Sequence, residues 1–222
     1  MSNTFQQQLE REIGTKLKLR INDNRSTMLS VKWEPGLARV SLHKFFLEAP
    51  KNVMDDLACY IRQKGKKMAP TMKQFIDENV QKLDYSQKIN SSKLQVHGDT
   101  YNIQEIMQEV NHRYFDNQLN LNITWFGSPR NKNRSRITFG LYQDPLKLIK
   151  INRLLDSPRF PKYVLSFVIY HEMLHHICPA YTDDNGRGYI HTREFKHLEK
   201  KFDEYEVAQQ WIKRNIDNLF KG

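Results

Sequence analysis

The strongest constraint on this chain is the segment Val168–His176, where three histidines and a glutamate lie at the end of an almost wholly apolar run. It contains the pattern His-Glu-x-x-His, with His171 and His175 four residues apart. On an α-helix these positions share one face, so both imidazoles can direct a ring nitrogen at one metal ion, with Glu172 beside them. Burying an unpaired carboxylate is costly, and a metal with its water removes that cost. The pattern therefore favours a buried helix with a zinc site over a core helix whose histidines bond to backbone carbonyls.

A catalytic zinc ion takes a third protein ligand and keeps its remaining position for water. The compact metzincin pattern is excluded, because Cys178 occupies the position of its glycine and Tyr181 the position of its last histidine. His191 is the preferred candidate, since it opens a predicted helix at i, i+4, i+7 spacing with Phe195 and Leu198. Glu194 is the competing candidate, because two histidines and a glutamate also suit zinc. We therefore expect one zinc ion per chain.

The chain is basic, with a formal net charge of +10 and an isoelectric point near 9.5. Such a charge indicates contact with nucleic acid or another polyanion. We expect weak, salt-sensitive DNA binding without base recognition, through N-terminal lysines and one loop that contains Arg130, Lys132, Arg134 and Arg136. The alternative is that these cations form an ordinary solvated loop.

The two cysteines, Cys59 and Cys178, are far apart in sequence, so they form neither a disulfide framework nor a four-cysteine zinc ribbon. Residues 1 to 20 carry charges throughout and lack the apolar core of a secretory signal. The longest apolar run, Tyr163–Tyr170, is too short to span a bilayer. These features predict a cytoplasmic protein that does not enter a membrane.

Hydrophobic periodicity divides the chain into two regions. The pattern of residues 1–90 predicts a short helix at Phe5–Ile13, followed by a small three-stranded β-meander with strands at Lys16–Ile21, Thr27–Trp33 and Ala38–His43. Two further helices are predicted at Lys51–Gln63 and Pro70–Leu83. Residues 86 to 99 are polar and lack periodicity, which predicts a linker.

Residues 100–222 predict an α+β domain in which a small three-stranded sheet accompanies the motif helix. A helix begins after Tyr101, and the strands are Leu119–Phe126, Ile137–Tyr142 and Leu146–Ile151. The last of these could be an edge strand that pairs with extended substrate, or an ordinary sheet strand. The motif helix must end near Cys178, because a proline follows it. Next, a flexible reversal of the chain direction is predicted at 183–188. Two C-terminal helices complete the region, one beginning at Thr192 and one over Ala208–Phe220.

Several segments together resemble the SprT-like metallopeptidase family over about half of the chain. The matching segments are Val110–Leu119, Ile123–Trp125, Gly140–Tyr142, Ile149–Ile151, His171–His175 and His191–Phe195. The resemblance implies a zincin-like α+β fold, zinc bound by His171, His175 and His191, Glu172 as catalytic base, and a relationship to proteases that remove proteins crosslinked to DNA. The chain departs from the family pattern in lacking cysteines for a C-terminal zinc ribbon, and residues 1–90 lie outside the pattern.

The sequence thus predicts a zinc-dependent metallopeptidase in which Glu172 accepts a proton from water and passes it to the leaving amine. DNA-associated proteins are candidate substrates. One alternative is a nucleic-acid-associated binding protein whose zinc is structural, and another is a zinc hydrolase with a non-peptide substrate. His176 is interpreted as a packed residue or a supporting partner of the site, and Cys178 as a packed residue at the helix end.

Overall fold

The computed structural model of the chain describes residues 2–128 and 137–219. They divide into two compact units: Met1–Leu83 with Ala180–Tyr189, and Asp84–Pro179 with Ile190–Gly222. Each combines helices with a small sheet, which confirms the α+β class. The elements are, in chain order, α1 (Ser2–Ile13), β1 (Lys16–Asn22), β2 (Leu29–Glu34), β3 (Leu37–His43), α2 (Lys51–Arg62), α3 (Pro70–Gln81), α4 (Ile103–Phe115), β4 (Asn122–Phe126), β5 (Gly140–Gln143), β6 (Leu148–Asn152), α5 (Lys162–Ile177), β7 (Tyr181–Thr182), β8 (Gly188–Tyr189), α6 (Arg193–Glu199) and α7 (Tyr205–Leu219).

The sheet of the first unit has the order β1-β3-β2, with β1 parallel and β2 antiparallel to β3. The predicted β-meander is therefore wrong. Strand β3 is the most apolar of the three, and Ala38, Val40 and Leu42 on its inner face are at most 2 % exposed. This strand takes the central position, where both of its edges are paired. The loop after β1 carries the chain past the end of β3, where the His43 N–H donates to the Met28 carbonyl over 2.8 Å.

The core of the first unit lies on one face of this sheet, between the strands and helices α1, α2 and α3. Its fully buried side chains include Leu9, Phe46, Leu57 and Met72. The predicted reversal at 183–188 is the turn of a short hairpin, β7–β8, that belongs to this unit. Thr182 holds the hairpin on α3, because its hydroxyl donates to Asp77 over 2.6 Å.

The N-terminal segment of the first unit ends at Leu83, earlier than the boundary between 90 and 100 that the sequence suggested. The predicted linker is packed onto the second unit, where it forms two short 3-10 turns. Its Gln95 carbonyl accepts the Trp125 N–H over 2.8 Å. Just beyond, the buried Asp156 carboxylate accepts the backbone N–H groups of residues 99 to 101 over 2.6 to 3.1 Å. A segment held by such bonds needs no apolar periodicity, which explains why the sequence indicated a linker.

The sheet of the second unit has the order β4-β6-β5, with β4 parallel and β5 antiparallel to β6. Of the two alternatives for Leu146–Ile151, the structure supports the ordinary sheet strand and excludes the edge strand, because β6 is central. Its side chains Leu148, Ile149 and Ile151 are at most 6 % exposed, as a strand covered on both faces requires. The edge strand beside α5 is β5, which is less buried.

Within residues 2–128 and 137–219, no helix combines the length and the apolar character that a membrane span requires.

Candidate metal centre and active site

Helix α5 carries the motif through the core of the second unit. It begins after Pro161 and ends at Ile177, before Cys178 and Pro179. Nine of its sixteen residues are buried, and they point in nearly every direction around the helix axis. His171 and His175 are half-buried on one face, one turn apart. A helix surrounded by apolar neighbours holds these two rings in fixed directions.

Three histidines come together at this face. Each of His171, His175 and His191 offers one ring nitrogen, and these atoms all lie within 4.8 Å of one another. The ring centroids are 5.0 to 5.1 Å apart. Within the described ranges, they form the one group of three or more potential ligand side chains that is compact enough for a metal ion.

His191 reaches this position because of the residues that follow it. Thr192 caps helix α6, and its hydroxyl accepts the Phe195 N–H over 3.1 Å. Phe195 is fully buried, and its ring centroid lies 4.7 to 5.0 Å from those of the three histidines. The competing candidate, Glu194, is exposed and is not part of the group. The helix cap and the buried ring thus place His191, rather than Glu194, beside the motif pair.

The protonation of these rings fits a metal site. Burial, together with the neighbouring His171 and His191, lowers the pKa of His175 to about 4. Burial also lowers the pKa of His191. At neutral pH both rings are therefore uncharged, which is the form that binds a metal. Three imidazoles with one open position make up a common donor set of catalytic zinc.

The sequence interpretation missed Glu199, the last residue of α6. Its Oε1 lies 2.7 Å from Nδ1 of His171, and its side chain is 13 % exposed. This contact leaves Nε2 of His171 available to a metal and fixes the direction of the ring. A signal existed, because Glu199 follows Phe195 by four residues and therefore shares its helix face.

Replacing Glu199 with alanine is expected to weaken zinc binding by about 10-fold to 100-fold, because His171 loses the acceptor that orients it. The matched control is Glu204→Ala, which removes an exposed carboxylate outside the cluster. Competition with a chromophoric chelator measures both affinities. Equal zinc affinity in wild type and Glu199→Ala would show that His171 needs no such support.

Glu172 lies beside the ligand pair and is only 6 % exposed. Burial raises its pKa to about 7, while the nearby His171 and a hydrogen bond from the backbone of Tyr142 act in the opposite direction. A carboxylate whose pKa lies near the working pH can both accept and release a proton. A metal cation at the three histidines would favour its charged form.

The edge strand β5 approaches this carboxylate through a glycine. A Cβ atom added at Gly140 would lie 2.4 Å from Oε1 of Glu172, which is closer than van der Waals contact allows. Gly140 is not among the residues with a positive φ angle. A glycine is therefore needed here for the space it leaves and not for an unusual backbone conformation. The absence of a side chain there lets the strand reach the candidate base.

Gly140→Ala is therefore expected to displace Glu172 and to lower kcat/KM by about 100-fold while zinc is retained, since a shift of about 1 Å at a catalytic group has this effect. The control is Gly188→Ala, because an added Cβ there meets no atom within 4 Å. Kinetics and metal content are measured on the same preparations. An active Gly140→Ala variant would mean that the position of Glu172 does not limit catalysis.

Tyr142 connects the edge strand to the motif helix. Its hydroxyl lies 2.7 Å from Nδ1 of His176 and 3.2 Å from the carboxylate of Asp144. Burial raises the pKa of Tyr142, so its hydroxyl stays protonated and can serve as a donor. Lys147 binds the same carboxylate over 2.7 Å. His176 therefore contacts strand β5 and is not part of the three-histidine group.

A cavity of about 270 Å³ lies next to His171 and Glu172. Its other walls are largely apolar and come from the start of β5 and from α5, α6 and α7, with Phe139, Phe167, Val168, Glu199, Gln209 and Ile212 among the lining residues. The cavity offers room for a side chain of a bound substrate beside the candidate base.

The remaining predicted residues do not join the site. Cys178 is buried at the end of α5, and burial raises its pKa. The predicted DNA-binding residues Arg130, Lys132, Arg134 and Arg136 lie outside the described residues.

Comparison of the chain with protein-family models, curated proteins and solved structures found no match.

Proposed function

We propose that this chain is a zinc-dependent metallopeptidase of the SprT-like type. The observation that carries the proposal is the convergence of His171, His175 and His191 around one point with the carboxylate of Glu172 buried beside them. Three imidazoles supply a zinc site, and the buried carboxylate supplies a base.

A zinc ion at the three histidines would supply Lewis acidity, which polarises the scissile carbonyl and acidifies water. Glu172 accepts the proton of the attacking water and transfers it to the nitrogen of the leaving amine. The C–N bond breaks, and the products are a carboxylic acid and an amine. Glu199 keeps the His171 ring in its ligand orientation throughout.

The edge strand β5 is suited to hold an extended peptide. Among residues 2–128 and 137–219 it pairs with β6 on one side only, so its outer edge has backbone donors and acceptors outside the ladder of its sheet. A peptide that pairs there is bound through its main chain and lies next to Glu172, which the start of this strand contacts. Such binding selects an extended backbone rather than a particular sequence, as expected for an enzyme that acts on unfolded or DNA-associated proteins.

The burial of Glu172 argues against a purely structural zinc site. Desolvating this carboxylate raises its pKa, so its position is unfavourable to the charged form of the side chain. A structural site has no use for such a group, whereas hydrolysis needs a base there. A zinc hydrolase with a non-peptide substrate shares this geometry and is distinguished by experiment.

The test is incubation of the zinc-loaded chain with a chemically denatured protein, followed by mass spectrometry of new chain ends. We expect internal peptide bonds to be cleaved, cleavage to stop after chelation, and activity to return with zinc. An ester substrate is tested in parallel. Ester hydrolysis without any proteolysis would identify a non-peptide hydrolase, and zinc binding without either activity would support the structural alternative.

A further inference from the structure

The outer face of the first sheet concentrates positive charge on neighbouring strands. We call it the basic face, and it consists of five exposed cations on β1, β2 and β3: Lys16, Lys18, Arg20, Lys32 and Arg39. The opposite face of the sheet is buried against the helices. The strand register brings Lys18, Arg39 and Lys32 side by side across all three strands.

Like charges on directly opposed residues destabilise a sheet, so this arrangement has an energetic cost. One carboxylate lies among the five cations, that of Glu34, and it is bound to Arg39 over 2.7 Å. Arg39, Lys32 and Lys18 together lower the pKa of Glu34. Lysines on edge strands are a common protection against strand-to-strand aggregation. That reason does not apply to Arg39, which lies on the central strand.

We propose that the basic face binds the phosphate backbone of a nucleic-acid duplex. Alternate residues on β1 place its three cations about 7 Å apart along the strand, and neighbouring strands lie about 4.8 Å apart. The five positive groups thus form a compact array. Ser30, Ser41 and Asn22 lie on the same face, and hydroxyl and amide groups are common partners of phosphate oxygens.

The composition of this face favours a duplex backbone over other polyanions. The aromatic residue of these strands, Trp33, packs on the buried side, so the face has no ring on which unpaired bases could stack. Membrane-surface binding also uses apolar side chains that insert between lipids, and the basic face lacks an exposed large hydrophobic residue. The binding is therefore electrostatic and independent of base sequence.

The test uses the full chain and a labelled 20-base-pair duplex, made once of DNA and once of RNA, titrated between about 50 and 200 mM salt. The test variant is Lys18→Gln/Lys32→Gln/Arg39→Gln. The control is Lys93→Gln/Lys200→Gln/Lys213→Gln, which removes the same charge from exposed positions of the second unit. We expect the test variant to bind at least about 10-fold more weakly near 100 mM salt and to lower the slope of log affinity against log salt by about 2 to 3. The control is expected to lower the slope by less than about 1.

Thermal unfolding of both triple variants accompanies the titration. The unfolding temperature of the test variant should equal or exceed that of wild type, because like-charge repulsion is removed. If that variant does not fold, Lys16→Gln/Arg20→Gln on the edge strand takes its place, with an expected slope change of about 1 to 2. Equal effects of test and control variants would overturn the proposal, since affinity would then follow net charge alone. Absence of duplex binding at low salt, or binding confined to phosphatidylserine vesicles, would overturn it as well.

Discussion

Glu172→Gln is expected to lower kcat for peptide hydrolysis by about 100-fold to 10,000-fold while the zinc content stays at the wild-type level. The amide keeps the shape of the buried side chain but cannot accept the proton of the attacking water. The neutral amide also removes the burial cost of a charged carboxylate, so the variant should be at least as stable as wild type. Binding and chemistry are thereby separated in one substitution.

The measurement is single-turnover cleavage of a labelled unfolded protein, with metal content determined on the same sample. Glu204→Gln is the control for loss of a carboxylate, because this residue is exposed and lies outside the cluster. If Glu172→Gln cleaved the substrate at nearly the wild-type rate, another residue would have to be the base.

The double variant His171→Ala/His175→Ala is expected to lose zinc binding altogether, since it removes two of three ligands from one helix face. In wild type, zinc at about 1,000 times its dissociation constant should stabilise the native state by about 4 kcal/mol. The double variant should show no such stabilisation. Thermal unfolding with and without zinc, together with elemental analysis, measures both effects. His97→Ala/His197→Ala removes two histidines outside the cluster and should behave like wild type. Full retention of zinc by the double variant would place the metal elsewhere.

The sequence was most informative where chemistry and periodicity coincide. The pattern of His171, Glu172 and His175 requires a helix for its function, and the apolar residues around it independently require burial. The predicted end of this helix near Cys178 agrees with the structure, because Pro179 constrains the residue before it. His191 was chosen from its spacing to Phe195, and the structure brings His191 to the motif pair.

Strand order could not be predicted in the same way. Alternation of side chains shows which residues face the core but not which strand is central. Thus the sequence left open whether β6 is an edge strand, and the first sheet was mistaken for a meander. In both sheets the strand with the most buried residues is the central one. The polar segment before α4 was mistaken for a linker because backbone hydrogen bonds, such as those to Asp156, leave no periodic pattern in the sequence.

The site also contains partners that local motifs do not reveal. Glu199 and Gly140 contact His171 and Glu172 from elements that are distant in sequence. A glycine whose role is to leave space for a carboxylate looks like any other strand glycine until the opposing side chain is placed. The role of Gly140 is therefore a finding of the structure, whereas the spacing of Glu199 from Phe195 already placed Glu199 on the helix face that points to the site.

The most direct measurement of the proposed centre is the zinc X-ray absorption spectrum of the chain loaded with one equivalent of zinc. Coordination by His171, His175 and His191 predicts three imidazole nitrogens at about 2.0 to 2.1 Å, with a light-atom ligand in the remaining position. His191→Ala should reduce the imidazole count to two, and Glu194→Ala should leave the spectrum unchanged. A sulfur ligand at about 2.3 Å, or an imidazole count that His191→Ala does not alter, would contradict the proposed centre.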